Sequence, residues 1–147
     1  MFKPAVKFAS VVALTAALLG SAAPVMAKQV EFDQATIAEL GAAMNAGTLT
    51  AEKLMELCLA RIKAFDRQGP KLHAVITLNP KAMEEAKALD AERKAGKVRG
   101  PLHGIPVVLK DNYDTVEMQT TGGSVLLEGA IPPDDAFMVK KDRKSVV

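Results

Sequence analysis

The residue with the clearest capacity for chemistry is a lysine. Ile105 to Leu109 reads Ile-Pro-Val-Val-Leu, an uncharged run, and Lys110 ends it just before an Asp111-Asn112 turn. Two readings of Lys110 are open at this level. A lysine at the end of a strand commonly carries its ammonium into water along its methylene stem. Held in a low-dielectric enclosure, its charge is disfavoured and the neutral amine becomes a base. At the ordinary pKa near 10.4, about one lysine in 2,500 is neutral at pH 7, and a pKa lowered by roughly three units needs about 4 kcal/mol of differential environment. A site that does this must be enclosed and built in advance.

Other combinations are weaker. Ser124 with His103 and Asp111 or Asp114 supplies the residue types of a hydrolase triad. No nucleophile-elbow pattern surrounds Ser124, and one Ser, one His and one Asp can be drawn from most sequences, so this set is put aside. Ser145 reads as ordinary terminal sequence. Cys58 lies inside an apolar helical stripe and reads as a small buried hydrophobe rather than a reactive thiol. With one Cys and only His73 and His103, the chain has no internal disulfide and no ligand set for a structural zinc. No motif calls for a metal or an organic cofactor.

The elements that must position Lys110 follow from periodicity. Asp33 can cap a helix running to about Ala46, with Ile37, Leu40 and Met44 at apolar spacing and Gly47 as its stop. Thr50 reads as the N-cap of a second helix, from Ala51 to about Arg67. Leu54, Leu57, Cys58, Ile62 and Phe65 fall on one face of it, and Gly69-Pro70 ends it. His73 to Leu78 has the β-branched content of a strand. Asn79-Pro80 opens a third helix from Lys81 to about Ala95, with Gly96 after it. Its charges (Lys81, Glu84, Glu85, Lys87, Glu92, Arg93, Lys94) read as a solvated face supported by i,i+4 pairs. Ile105 to Leu109 reads as a strand buried on both faces, with Pro106 at its start. From Asp111 onward the sequence is loop-like. Helix, helix, strand, helix, strand and long loop make the beginning of an α/β fold that looks unfinished.

The first segment reads as an address. Met1 to Lys7 carries two lysines and no acid, Phe8 to Leu19 is twelve residues without a charge, and Gly20 and Pro24 follow. Val25-Met26-Ala27 then puts small or β-branched residues where a signal peptidase reads them, so residues 1–27 are expected to be a signal peptide. Twelve apolar residues fall short of the roughly 20 that span a bilayer, so no stable membrane insertion is expected after cleavage. The expected location is periplasmic or secreted. With Lys3 and Lys7 removed, Lys+Arg falls from 19 to 17 and equals the 17 acidic residues. A neutral chain without basic clusters among aromatics removes the main argument for a nucleic-acid partner. The composition, 49% hydrophobic and 24% charged, is globular.

The stretch around Lys110 resembles the N-terminal part of the amidase signature family. The resemblance is carried by Gly100-Pro-Leu-His-Gly-Ile-Pro-Val-Val-Leu-Lys-Asp-Asn112, then Asp114-Thr115, Met118, Thr120-Thr-Gly-Gly-Ser124 and Pro132-Pro-Asp-Asp-Ala-Phe137. It spans roughly Gln34 to Lys141, and Thr48 to Arg67 is similar to the family's lead-in helix. It implies the amidase signature fold, a mixed sheet covered by helices, of which residues 28–147 would be an incomplete N-terminal part. It also implies hydrolysis of a carboxamide by a Ser–Ser–Lys triad. A neutral lysine accepts a proton from a serine in a cis peptide, that serine activates a nucleophilic serine, and water resolves the acyl-enzyme. Lys110 falls on the family's catalytic lysine. Asp111 and Asn112 fall on the residues that would hold its turn, and Thr121, Gly122 and Ser124 on a loop near the active site. The implied substrate is a small amide or a peptide carboxamide.

Both family serines and the oxyanion donors lie in a later Gly/Ser-rich segment that the 147 residues do not contain. From about Asp142 the match is lost, which suggests truncation or a frameshift near residue 141. The 147 residues are therefore expected to be inactive alone. A non-catalytic secreted remnant or binding fragment is the alternative. A cytosolic amidotransferase subunit related to the same family is opposed by the signal peptide.

Overall fold

The computed structural model describes residues 32–143. The signal-peptide reading of residues 1–27 therefore lies outside the described residues, as does Ser145. Helix α1 spans Ile37–Asn45 and α2 spans Ala51–Arg61, continued by a π-helical turn, Ile62–Arg67. Helix α3 spans Ala82–Lys94, a short 3-10 turn covers Val125–Leu127, and α4 spans Phe137–Asp142. Among the described residues no helix is long and apolar enough to cross a membrane.

The helix starts follow from side chains that satisfy orphan backbone donors. For α1 the cap is Thr36 rather than Asp33. Glu39 N–H donates to Thr36 Oγ1 (3.2 Å) and Thr36 N–H donates to Glu39 Oε2 (3.1 Å), a capping box that Asp33, three residues earlier, has no geometry to form. Thr50 caps α2 as expected, accepting from Lys53 N–H at 3.0 Å. The first two donors of α2 are satisfied from outside the helix. Asp90, on α3, accepts Ala51 N–H on Oδ1 (2.8 Å) and Glu52 N–H on Oδ2 (3.0 Å). At α3, Asn79 accepts from Lys81 N–H (2.9 Å), and Gly96 ends the helix with Lys97 N–H returning to Glu92 O (2.8 Å).

The core lies where α1, α2, α3 and the Gly104-Ile105 segment meet. It holds Met44, Ala51, Leu54, Met55, Ala82, Ala86 and Ile105, with Leu40, Leu49, Leu59 and Met83 at its edge. Leu54 burial is worth about 2 kcal/mol. The expected stripe of α2 is only partly buried. The wider π-helical turn shifts the register, and Phe65 turns outward beneath the Arg61 guanidinium, 5.6 Å from the ring centroid. The α3 charges stay at the surface as expected, but their pairs run to other segments rather than to i,i+4. Lys81 bonds Glu117, Lys87 faces Glu52, and Glu92 grips the Arg99 guanidinium.

Neither expected strand joins a ladder: among the described residues there is no strand. His73, the first residue of His73–Leu78, has φ +49°, and its neighbours' backbone groups are claimed by side chains. Asp66 accepts Ala74 and Val75 N–H, and Arg67 donates to Val75 O (2.7 Å). In Ile105–Leu109 only Ile105 is buried; Val107 and Leu109 are exposed, and Val108 is 87% exposed. A sequence buried on both faces needs neighbouring strands, and no strand lies beside it among the described residues.

Candidate functional site

The segment leading to Lys110 is fastened on both sides. His103 is 1% exposed. Its Nε2 lies 2.9 Å from Leu89 O, and Arg99 N–H donates to its Nδ1 at 3.3 Å. Arg93 donates to the His103 carbonyl at 2.8 Å. Both ring nitrogens are therefore engaged, Nε2 fixing the loop to α3 and Nδ1 bracing it at Arg99, which takes His103 out of any triad with Ser124. On the other side Gly104, at φ +81°, lies against α2. A Cβ there would stand 2.9 Å from Ala51 Cβ and 3.4 Å from Met44 Sδ.

Beyond Ile105 the chain emerges and turns at Lys110. Tyr113 N–H donates to Lys110 O at 3.1 Å. The Tyr113 carbonyl in turn accepts from Thr115 Oγ1 (2.9 Å) and Thr120 Oγ1 (3.3 Å). Lys110 and Asn112 are exposed, Asp111 is half-buried, and Thr121 is buried, at 6%. The structure joins the two halves of the motif through Asp111. Its carboxylate accepts Thr121 N–H at 3.1 Å (Oδ1) and 3.3 Å (Oδ2), and also the Thr121 hydroxyl, while its carbonyl accepts Gly122 N–H at 2.6 Å. The Thr121 hydroxyl and backbone amide hold the Asp111 carboxyl below its usual range.

The Gly122–Ser124 loop is folded inward by its own amides. Gly122 N–H goes to Asp111 O, Gly123 N–H to Thr121 Oγ1 (3.1 Å) and Ser124 N–H to Thr121 O (2.9 Å). Positive φ at Gly122 (+58°) and Gly123 (+78°) makes this winding possible without steric cost. With all three donors bonded to Asp111 or Thr121, none is free to receive an oxyanion. Of the residues singled out from sequence, Asp111, Thr121, Gly122 and Ser124 are thus brought into one cluster. Lys110 stands at its border through the peptide it shares with Asp111.

Several anchors were not visible in the sequence. Asp66 and Asp90 each accept two backbone amides from distant segments. Asp135 accepts Val116 N–H (2.7 Å) and pairs with Arg143 (2.6 Å), whose guanidinium also reaches Val116 O. No local pattern distinguishes such aspartates from solvated ones, because their partners lie eight to 39 residues away. Among the described residues no group of three or more His, Cys, Asp and Glu could hold a metal ion.

A segment of paired helices presenting a lysine turn fastened to a Gly-Gly-Ser loop defines a class, and comparison with known proteins gives it a family. The amidase family model matches residues 53–145, and the chain belongs to that family. It is 44% identical over 107 residues to a glutamyl-tRNA(Gln) amidotransferase subunit of Streptomyces avermitilis, covering 72% of this chain and 21% of that protein. The peptide amidase of Stenotrophomonas maltophilia matches with a TM-score of 0.76 and 46% identity, over 79% of this chain and 24% of that one. An amidase family protein from Bacillus anthracis matches at 0.73 and 35% identity, over 81% and 26%. The chain spans about a fifth to a quarter of the length of these relatives.

Proposed function

We propose that these residues are the lysine-bearing N-terminal part of an exported amidase that hydrolyses a carboxamide, with Lys110 as the base of a Ser–Ser–Lys triad. The observation that carries the reading is the Lys110 turn bonded through Asp111 to the Thr121–Ser124 loop, in a backbone similar to a peptide amidase at 46% identity. In this reading the Lys110 amine takes a proton from the cis serine. That serine deprotonates the nucleophile, which attacks the amide carbonyl; the amine leaves with a proton and water releases the acid. Oxyanion donors come from outside residues 122–124, whose amides are already bonded. The likeness to a peptide amidase, together with export by residues 1–27, favours a peptide carboxamide over a cytosolic substrate. In the complete fold, His73–Leu78 and Ile105–Leu109 gain strand neighbours and form part of a mixed sheet covered by helices.

Residues 1–147 by themselves carry one member of the triad and are inactive. The test is a hybrid in which residues 32–143 replace the matched segment of the Stenotrophomonas peptide amidase. Lys110→Ala in this hybrid is expected to lower kcat by about 10²–10⁴-fold, the usual worth of a positioned base. Activity within about threefold of the unsubstituted hybrid would show that Lys110 is structural. A reporter fused after residue 35 is expected to reach the periplasm, and retention in the cytoplasm would refute export.

A further inference from the structure

We propose that Thr121 is the positioning residue of the Lys110 turn: its hydroxyl donates to the Asp111 carboxylate, accepts from Gly123 N–H, and so fixes the peptide following Lys110 to the Gly122–Ser124 loop. The inference deepens the reading of Lys110 as the base and rests on it.

Lys110 is exposed, and no side-chain hydrogen bond or ion pair restrains it among the described residues. Where its amine can reach is therefore set by its backbone. That backbone is held by one bond within the turn, Tyr113 N–H to Lys110 O, and by the links from Asp111 to the loop ten residues on. Most of those links pass through Thr121. Its N–H meets both carboxylate oxygens, its hydroxyl meets Oδ2, and the same hydroxyl oxygen receives Gly123 N–H.

The geometry demands a particular side chain. The position is buried, and the group must donate and accept at once, which a hydroxyl does and a methyl does not. Valine has the shape of threonine but leaves the Asp111 carboxylate without its hydroxyl donor and Gly123 N–H without an acceptor. Asp111 is half-buried and Gly123 exposed, so water makes up part of both losses, and the turn loosens rather than unfolds. Serine keeps the donor and the acceptor and loses one methyl. A base must begin within hydrogen-bond reach of the proton it takes, so a small drift of the turn is expressed in turnover.

The experiment uses the full 147-residue chain and amide hydrogen exchange resolved by NMR. In Thr121→Val, the amides of Tyr113 and Gly123 are expected to exchange at least about tenfold faster, while those of α3 stay within about twofold. Thr121→Ser is expected to restore both. Unchanged Tyr113 exchange in Thr121→Val overturns the proposal, because the turn would then stand without the clamp. Equal acceleration in α3 overturns it too, since Thr121 would then serve general stability. In the hybrid amidase, Thr121→Val is expected to lower kcat about tenfold at unchanged KM, with rescue by Thr121→Ser. An unchanged kcat overturns the catalytic consequence. Failure of Lys110 as the base appears separately, as activity surviving Lys110→Ala, and leaves the exchange result intact.

Discussion

Gly104 is the position at which a single methyl group should report on how the Lys110 segment is seated. It adopts φ +81°, and a Cβ built there meets Ala51 Cβ at 2.9 Å, closer than two methyl groups tolerate. Gly104→Ala therefore carries two separable costs. Holding alanine in the left-handed region costs about 1–2 kcal/mol. Overpacking against α2 costs about 1–3 kcal/mol more, so a destabilisation of about 3 kcal/mol is expected. Ala51→Gly removes the atom that is struck. Alone it should cost about 1.5 kcal/mol, from a glycine near the helix start and one lost buried methyl. In the double variant the overlap is relieved while the backbone strain persists. The two changes should then fall short of additivity by about 1–1.5 kcal/mol, beyond the usual scatter for independent sites. Urea unfolding of the four proteins followed by far-UV circular dichroism measures the cycle. A coupling below about 0.3 kcal/mol, or a Gly104→Ala cost below about 1 kcal/mol, would refute the packing of this loop against α2.

Two further outcomes follow from the carboxylate anchors. Asp90→Ala removes the acceptor for Ala51 and Glu52 N–H and should destabilise the chain by about 2 kcal/mol, with Asp90→Asn recovering part of it; equal stability of all three in urea would count against capping from α3. The Asp111 carboxyl is held below its ordinary value of 3.8 chiefly by the Thr121 hydroxyl, so its contribution is present above that unfolded value and lost as pH falls through the lower folded one. Carboxyl-carbon NMR should show this titration moving upward in Thr121→Val, and an unmoved titration would mean that another donor holds Asp111.

Part of this molecule could be read directly. Apolar spacing and capping residues placed three helices near their observed bounds, because helix formation depends on neighbours within a turn or two. Thr50, Gly47 and Gly96 act locally and were legible for that reason. The run from Gly100 to Ser124 marked the family and singled out Lys110, Asp111 and Thr121. Cys58, read as a small hydrophobe, is half-buried on α2, and burial pushes its thiol up.

What only the tertiary structure decided concerns partners distant in sequence. Composition marked His73–Leu78 and Ile105–Leu109 as strands, yet a strand exists only when another backbone lies beside it. Here Asp66 and Arg67 take the first segment's amides and carbonyl instead. The α3 charges are largely solvated, as read, but that some of them reach Glu117, Glu52 and the loop bearing His103 was decided by the fold. The bond between Asp111 and Thr121 spans ten residues of loop with no periodicity to announce it. Periodic elements obey short-range sterics and hydrogen bonding, so sequence determines them closely. A carboxylate meets whichever amide the folded chain brings to it, and that meeting is settled only once the chain has packed.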